Sequence, residues 1–455
     1  MPILFQLSSL LTMPFWALMI LFPRWRWTAR ILKSPYVIAP AALLYAALVL
    51  PLIGTILPAV ANPNLAGIAA LLSSPAGATI AWVHFLAFDL FVGRWIYLHS
   101  RERDANPYLM APILFLTIML GPIGLLVYLA VRAARSIRTP SGMNRPLVFT
   151  GSIMLLTLAA TLVAMLVDHR FITGAPAWLK PAKFALSITI YCFTISWLLT
   201  FLPNRPRLKA LIANVTCISM VVEMAVIAIQ AARGTSSHFN LSTPFDSFVW
   251  MVMGSFITLA FVAALLLAIL LLRQSLPDRA FALSIRLAVV ISLVGMALAF
   301  LMTKPTPRQM ESMQQGQAAQ IIGAHTVGAT DGGPGLPFLG WSTVGGDLRI
   351  PHFVGLHALQ VLPFLGWLLT RRKGLGQARS VGLIWIAGSA YLGFVLILLW
   401  QALQGQPLMH PGAGTLIAAI SLAAITTLAA GAVLLIGRRR QAASTACNRL
   451  AISAI

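Results

Sequence analysis

The chain is 455 residues long, 59% hydrophobic and only 9% charged, with a mean hydropathy of +0.87. Soluble domains carry roughly 25% charged residues, so a soluble globular enzyme is excluded. Thirty-two Lys and Arg against 10 Asp and Glu leave a formal net charge of +22, and with so little polar surface this reads as basic loops flanking membrane spans, not as a nucleic-acid footprint.

At about 20 residues per crossing, the composition predicts an all-α, polytopic integral membrane helical bundle of about 12 transmembrane helices in two parts. The first apolar run, Pro2 to Phe22, has no basic segment ahead of it and is followed by Arg24, Arg26, Arg30 and Lys33. That order belongs to a retained span, not to a cleaved signal peptide. Further runs at 36–60, 78–98 and 108–131 complete a four-span domain over 1–135, with Gly121-Pro122 breaking the last run. Residues 136–146 read as a basic linker with Arg138, Pro140, Gly142 and Arg145. An eight-span domain over 147–440 follows, with runs near 147–167, 184–203, 211–231, 247–272, 282–303, 352–370, 381–402 and 415–437, then a tail over 441–455.

Basic residues concentrate in alternate loops of the second part: Arg205, Arg207 and Lys209; Arg273 and Arg279; Arg371, Arg372, Lys373 and Arg379; then Arg438 to Arg440. Basic loops stay cytoplasmic, which places both ends of this part, and the C-terminal tail, inside a cell membrane of the bacterial inner-membrane kind. In the first part, Arg24 to Lys33 and the linker both ask to be inside, yet three apolar runs separate them. Either 108–131 is a re-entrant hairpin or the loop over 61–78 adds a partial crossing, so the count is 12 give or take one.

Ionisable residues at membrane depth are costly and mark candidate sites. In Trp82-Val-His84-Phe-Leu-Ala-Phe-Asp89-Leu-Phe-Val-Gly93-Arg94, one run carries His84, Asp89 and Arg94. These are five apart, about 140° around a helix, so they do not share a face. Asp89 with Trp82, Leu86 and Gly93 forms a stripe suited to close helix packing, while Arg94 and His99 can snorkel to the interface.

This run, with the later Leu114-Phe-Leu-Thr-Ile-Met-Leu-Gly121-Pro122-Ile-Gly124-Leu-Leu-Val-Tyr128, resembles the membrane-protein family typified by the abscisic-acid-deficient protein required for neoxanthin formation, over about residues 5–135. The resemblance implies a membrane enzyme opening a xanthophyll epoxide to an allenic alcohol without net redox change. Asp89 and His84 match the motif and would serve as its acid–base groups, with Arg94 beside them. The family typically stops after four spans, whereas this chain continues for eight more.

No family is recognised beyond residue 146. There every histidine (His169, His238, His325, His352, His357 and His410) falls on the side away from the basic loops. The long Gly-rich connection 304–351 ends in Gly340-Trp341-Ser-Thr-Val-Gly345-Gly346-Asp347-Leu-Arg349-Ile-Pro351-His352 and leads into a helix that carries His357. This segment is a candidate polar-ligand site, with His238, Asp347, Arg349, His352 and His357 as substrate-binding residues. Imidazole also ligates zinc, copper and haem iron, but His352 and His357 stand at i, i+5, and no HExxH, CxxCH or Cys/His cluster accompanies them. No metal ligand set is therefore assigned and no cofactor is specified. Cys192, Cys217 and Cys447 make no disulfide framework.

Glu223 and Arg286 are the remaining charges at span depth and candidate partners of one another, as a structural ion pair or as a substrate-coupling pair. Lys180 and Lys183 beside Trp178 read as interfacial anchors or as contacts to a lipid head group. The expected partners are membrane lipids and an apolar small-molecule substrate, not nucleic acid. An enzyme acting on an isoprenoid, carotenoid-like or other lipid-soluble substrate stands beside a transporter and a non-catalytic accessory protein as the functional readings.

Overall fold

A computed structural model describes residues 1–136, 142–317, 320–372 and 375–453, with the side chains of 133–136 and 436–453 left out. Arg138, Pro140 and Lys373, and the side chains of Arg438 to Arg440, lie outside the described residues. The architecture is the all-α bundle expected: among the described residues eleven helices are long and apolar enough to cross a membrane. The chain separates into two compact units, Met1–Ile137 and Arg138–Ile455.

The first unit contains α1 (Pro2–Leu21), α2 (Arg26–Lys33), α3 (Ala39–Val49), α4 (Ile53–Ala61), α5 (Leu65–Ser73), α6 (Pro75–Glu102), α7 (Pro107–Leu120) and α8 (Pro122–Ser136). Helix α6 is its hub. Near one end Ile80 and Val83 pack with Leu4, Leu48 and Val49. Near the other, Leu90, Ile96 and Tyr97 join Trp16, Met19 and Leu32. Gly93 is required there, because a Cβ would run into the Trp16 ring.

The expected fourth span is two helices. Gly121 stands between α7 and α8 with φ +23°, a conformation that disfavours any side chain. Pro122 then opens α8, where its missing N–H costs nothing. Both ends of this hairpin lie beside the basic segments: Arg24 stacks over the Tyr108 ring at 4.9 Å, and His99 Nδ1 meets the Tyr128 hydroxyl at 2.5 Å. The hairpin is one of the two arrangements left open by the charges, and the other segment, 61–78, also carries a short apolar helix, α5.

The second unit contains α9 (Arg145–Val167), a short hairpin of β1 (Phe171–Ile172) and β2 (Ala175–Pro176), then α10 (Leu179–Leu198), α11 (Pro206–Arg233), α12 (Pro244–Arg273), α13 (Arg279–Met302) and α14 (Pro307–Gln314). A second two-stranded ladder pairs β3 (Thr326–Val327) with β4 (Gly346–Asp347), ahead of α15 (Arg349–Thr370), α16 (Gln377–Leu403) and α17 (Ala413–Ser453). Each of the eight apolar runs expected here falls largely within one of these helices. Leu147, Ile188, Ile212, Leu267, Ile285 and Leu362 contribute to one apolar core. In lipid, close backbone approach replaces the hydrophobic drive between helices. Thus α13 and α15 meet at Gly295 and Gly355, where a Cβ on Gly295 would stand 2.6 Å from the Gly355 carbonyl carbon.

The loops opposite the basic ones gather at one end of this unit. Leu241 N–H donates to Gln320 O at 2.7 Å, and Gly328 approaches Gly405. The described parts of the long connection, 303–317 and 320–348, are therefore folded over the bundle end, tied by β3–β4 and by a capping box at Thr306.

An amine–imidazole–carboxyl cluster as the candidate site

In the first unit the three expected residues do not converge. His84 is exposed and sits among Tyr45, Phe85 and Phe88, stacked on the last with centroids 4.7 Å apart. Asp89 is half-buried and faces Gly121, where a Cβ would collide with its Oδ1. Arg94 donates from Nε to Leu32 O at 2.6 Å and from Nη2 to Lys33 O at 2.8 Å. These are the last carbonyls of α2, which a helix leaves unsatisfied, so Arg94 acts here as a helix cap. Sequence reasoning passed over the neighbouring trio in which His99 bonds Tyr128 and lies flat on Trp95, with centroids 5.0 Å apart and planes at 9°.

The second unit builds a denser polar centre at its loop-rich end. Trp178 Nε1–H donates to Asp168 Oδ2 at 2.7 Å, and Arg170 grips the same carboxylate while donating to Ala232 O. The Arg170 and Trp178 bonds hold the Asp168 carboxyl well below the usual carboxylate range. This clasp fixes the start of α10, so that Lys180, in its first turn, points into the unit. Lys180 Nζ lies 3.0 Å from His238 Nδ1. The opposite ring nitrogen, Nε2, stands 3.6 Å from Glu223 Oε1, an electrostatic contact longer than a hydrogen bond. Glu223 is 4% exposed, and its Oε2 has no hydrogen-bond partner among the described residues.

His238 comes from the loop between α11 and α12 and is boxed by Phe184, Phe239 and Trp250, with centroids 5.8, 6.1 and 5.7 Å away. Burial first, then the charges of Lys180 and His325, push its imidazole well below the ordinary value, so the ring is neutral near pH 7. A neutral ring that accepts at Nδ1 carries its proton at Nε2, directed at Glu223. Beside it, His325 Nδ1 meets Asp331 Oδ2 at 2.7 Å. Burial would raise the Asp331 carboxyl, but the ring and backbone bonds from His325 override it and hold it below the carboxylate range. Burial likewise lowers His325, against the raising effect of Asp331.

Asp347 and Arg349 form the lock of the long connection. The Asp347 side chain is fully buried and accepts from Arg349 Nη2 at 2.5 Å, Arg349 Nε at 2.9 Å and Ser342 N–H at 2.8 Å. Arg349 continues to Gly340 O at 2.6 Å, and Lys183 Nζ donates to the adjacent Leu339 O at 3.0 Å.

The other expected residues stand apart. His352 Nδ1 bonds Gly295 O at 2.7 Å, across the close contact of α13 and α15. His357 bonds Gln360, which donates to Thr194 Oγ1 at 2.8 Å. Glu223 and Arg286 form no pair: Arg286 donates to Gln274 O at 3.0 Å, at the C-terminal end of α12, while Glu223 turns to His238. Among the described residues no group of three or more His, Cys, Asp or Glu is arranged to hold a metal ion. For Lys180 the sequence offered an interfacial anchor or a contact to a lipid head group, and gave no sign of its approach to His238. Its only sequence signal was a lysine in the first turn of a helix, where the dipole favours anions.

Residues 3–128 match the family model described as ABA DEFICIENT 4-like, in agreement with the resemblance seen in the sequence. The match covers most of the first unit and ends short of the second. No curated protein and no solved structure matches the chain.

Proposed function

We propose that the chain is an integral-membrane acid–base catalyst for a lipid-soluble substrate of isoprenoid or carotenoid-like character, and that Glu223 and His238 of the second unit move the proton. The carrying observation is the Glu223 carboxyl itself, buried, with one oxygen unpartnered and the other facing a neutral imidazole. A buried polar atom left unbonded has a free-energy cost, and such groups cluster where chemistry needs them. General acid–base transfer suits this pairing of a carboxyl oxygen free to accept a proton with a neutral imidazole whose Nε2 faces it. The substrate class rests on the family match of the first unit, where Asp89 at the hairpin tip is the second acid–base candidate. The basic loops support a cytoplasmic C-terminus, with the cluster at the opposite membrane face.

The test is a deletion strain complemented with Glu223→Gln, His238→Gln or Asp89→Asn, followed by extraction of total lipids and pigments. The first two variants are expected to reproduce the deletion profile while the protein is still inserted in the membrane. A wild-type profile from both sinks the assignment. Loss with Asp89→Asn alone would move the chemistry to the first unit. Uptake or export of a solute that fails in the variants while lipids stay unchanged would favour transport.

A further inference from the structure

We propose that Lys180 is a covalent capture site that binds the carbonyl carbon of a lipid-soluble aldehyde or ketone as an imine, with His238 as its proton acceptor. The inference rests on the acid–base reading of the same residues and adds a substrate class to it.

Three observations carry it. A lysine used as a charge pairs with a carboxylate or snorkels to water, whereas Lys180 Nζ is turned onto a ring nitrogen at 3.0 Å. Among the described residues no carboxylate lies within ion-pair distance of it: the pairs formed involve Arg170, Arg233, His238, His325 and Arg349. Second, Lys180 occupies the first turn of α10, a helix with no acidic residue in that turn and no side-chain cap. A permanent ammonium gains nothing from the helix dipole there, so anchoring is a poor account of its place. Third, the arrangement is that of an activated nucleophile: an amine, a base within hydrogen-bond reach, and a third group that orients the base. Glu223 faces the far nitrogen of His238, and Phe184 and Trp250 wall the ring with apolar surface.

The step balances without an oxidant or reductant. His238 takes one proton from the Lys180 ammonium. The free amine adds to the carbonyl carbon, forming the C–N bond and moving an electron pair to oxygen, which takes up the second amine proton. The carbinolamine then loses its hydroxyl as water, with the proton returned from His238. The products are a protonated imine and one water, at the same net charge as the ammonium and the carbonyl compound. An imine so placed acidifies the neighbouring carbon of the captured molecule, and Glu223 through His238 is positioned to exchange that proton.

The experiment uses the full chain in detergent micelles with farnesal, an isoprenoid aldehyde, as the probe. Sodium cyanoborohydride fixes any imine as a secondary amine, and peptide mass spectrometry locates it. Lys180 is expected to carry the adduct well before Lys183 or the exposed Lys304. Lys180→Arg should remove that adduct, and His238→Gln should slow labelling of Lys180 roughly 100-fold, the scale of losing a general base. Labelling of Lys180 no faster than Lys304, or unchanged by His238→Gln, overturns the proposal. If Lys180→Arg does not fold, the wild-type adduct map still decides. A lipid profile altered by Glu223→Gln without an adduct on Lys180 removes the capture site and leaves the acid–base reading. An adduct on Lys180 with an unaltered profile does the reverse.

Discussion

The lock between Asp347 and Arg349 gives the sharpest energetic test of how the long connection is held over the bundle. Asp347→Asn keeps the shape of the side chain but leaves one acceptor oxygen where two receive bonds from Arg349 and from the Ser342 and Arg349 N–H groups. Removing one partner of a buried pair costs about 3–5 kcal/mol. The Arg349 side chain is 28% exposed, so water takes up part of the loss, and about 3 kcal/mol is expected for this variant. Arg349→Leu leaves the fully buried carboxylate to two N–H groups, and its cost lies nearer the upper figure. The double variant should fall short of the sum by about 2 kcal/mol, because each single change strands the same partner. Unfolding in denaturant, followed by intrinsic fluorescence, supplies all four corners of the cycle, and Trp341 sits beside the Gly340 carbonyl that Arg349 holds. Additive single costs, or an Asp347→Asn cost under about 1 kcal/mol, would refute the lock.

Two further outcomes are expected. The His238 imidazole titrates below its ordinary value when folded, so the unfolded chain takes up the proton first as pH falls. Its contribution to stability is complete above about pH 6.5 and is lost below that, toward the folded value. His238→Gln should therefore flatten the decline of Tm between about pH 6.5 and 5, and an unchanged slope counts against a ring held neutral at this site. His325 has the same sign and contributes part of the slope that remains. At the contact of α13 with α15, Gly295→Val must push the backbones apart, at a cost of about 1–3 kcal/mol. Gly254→Ala, which meets nothing within 4 Å, should cost nothing by the same thermal measurement.

The helices were largely legible because lipid leaves the backbone no alternative. Apolar runs therefore name the spans directly, and Gly121-Pro122 names the break. What the sequence could not show is where long polar side chains end. Arg94 reads as a charge at membrane depth, but its guanidinium closes the carbonyls of Leu32 and Lys33, some sixty positions earlier. Glu223 and Arg286 look like natural partners by depth alone, and the rotation of each helix sends one to His238 and the other to Gln274 O. Lys180 meets a histidine 58 residues away, a distance that no local pattern encodes. Asp347 and Arg349 stood in the sequence as separate substrate-binding candidates, and only the structure shows them bonded to each other across a two-residue turn.

The hairpin of α7 and α8 bears on how the first unit is assembled in a cell. Its tip, Leu120-Gly121-Pro122, carries no charge, so the pair can enter the bilayer together without hauling an ionisable group across it. Because the hairpin comes back to the end of the unit from which it set out, α7 and α8 together contribute no net crossing.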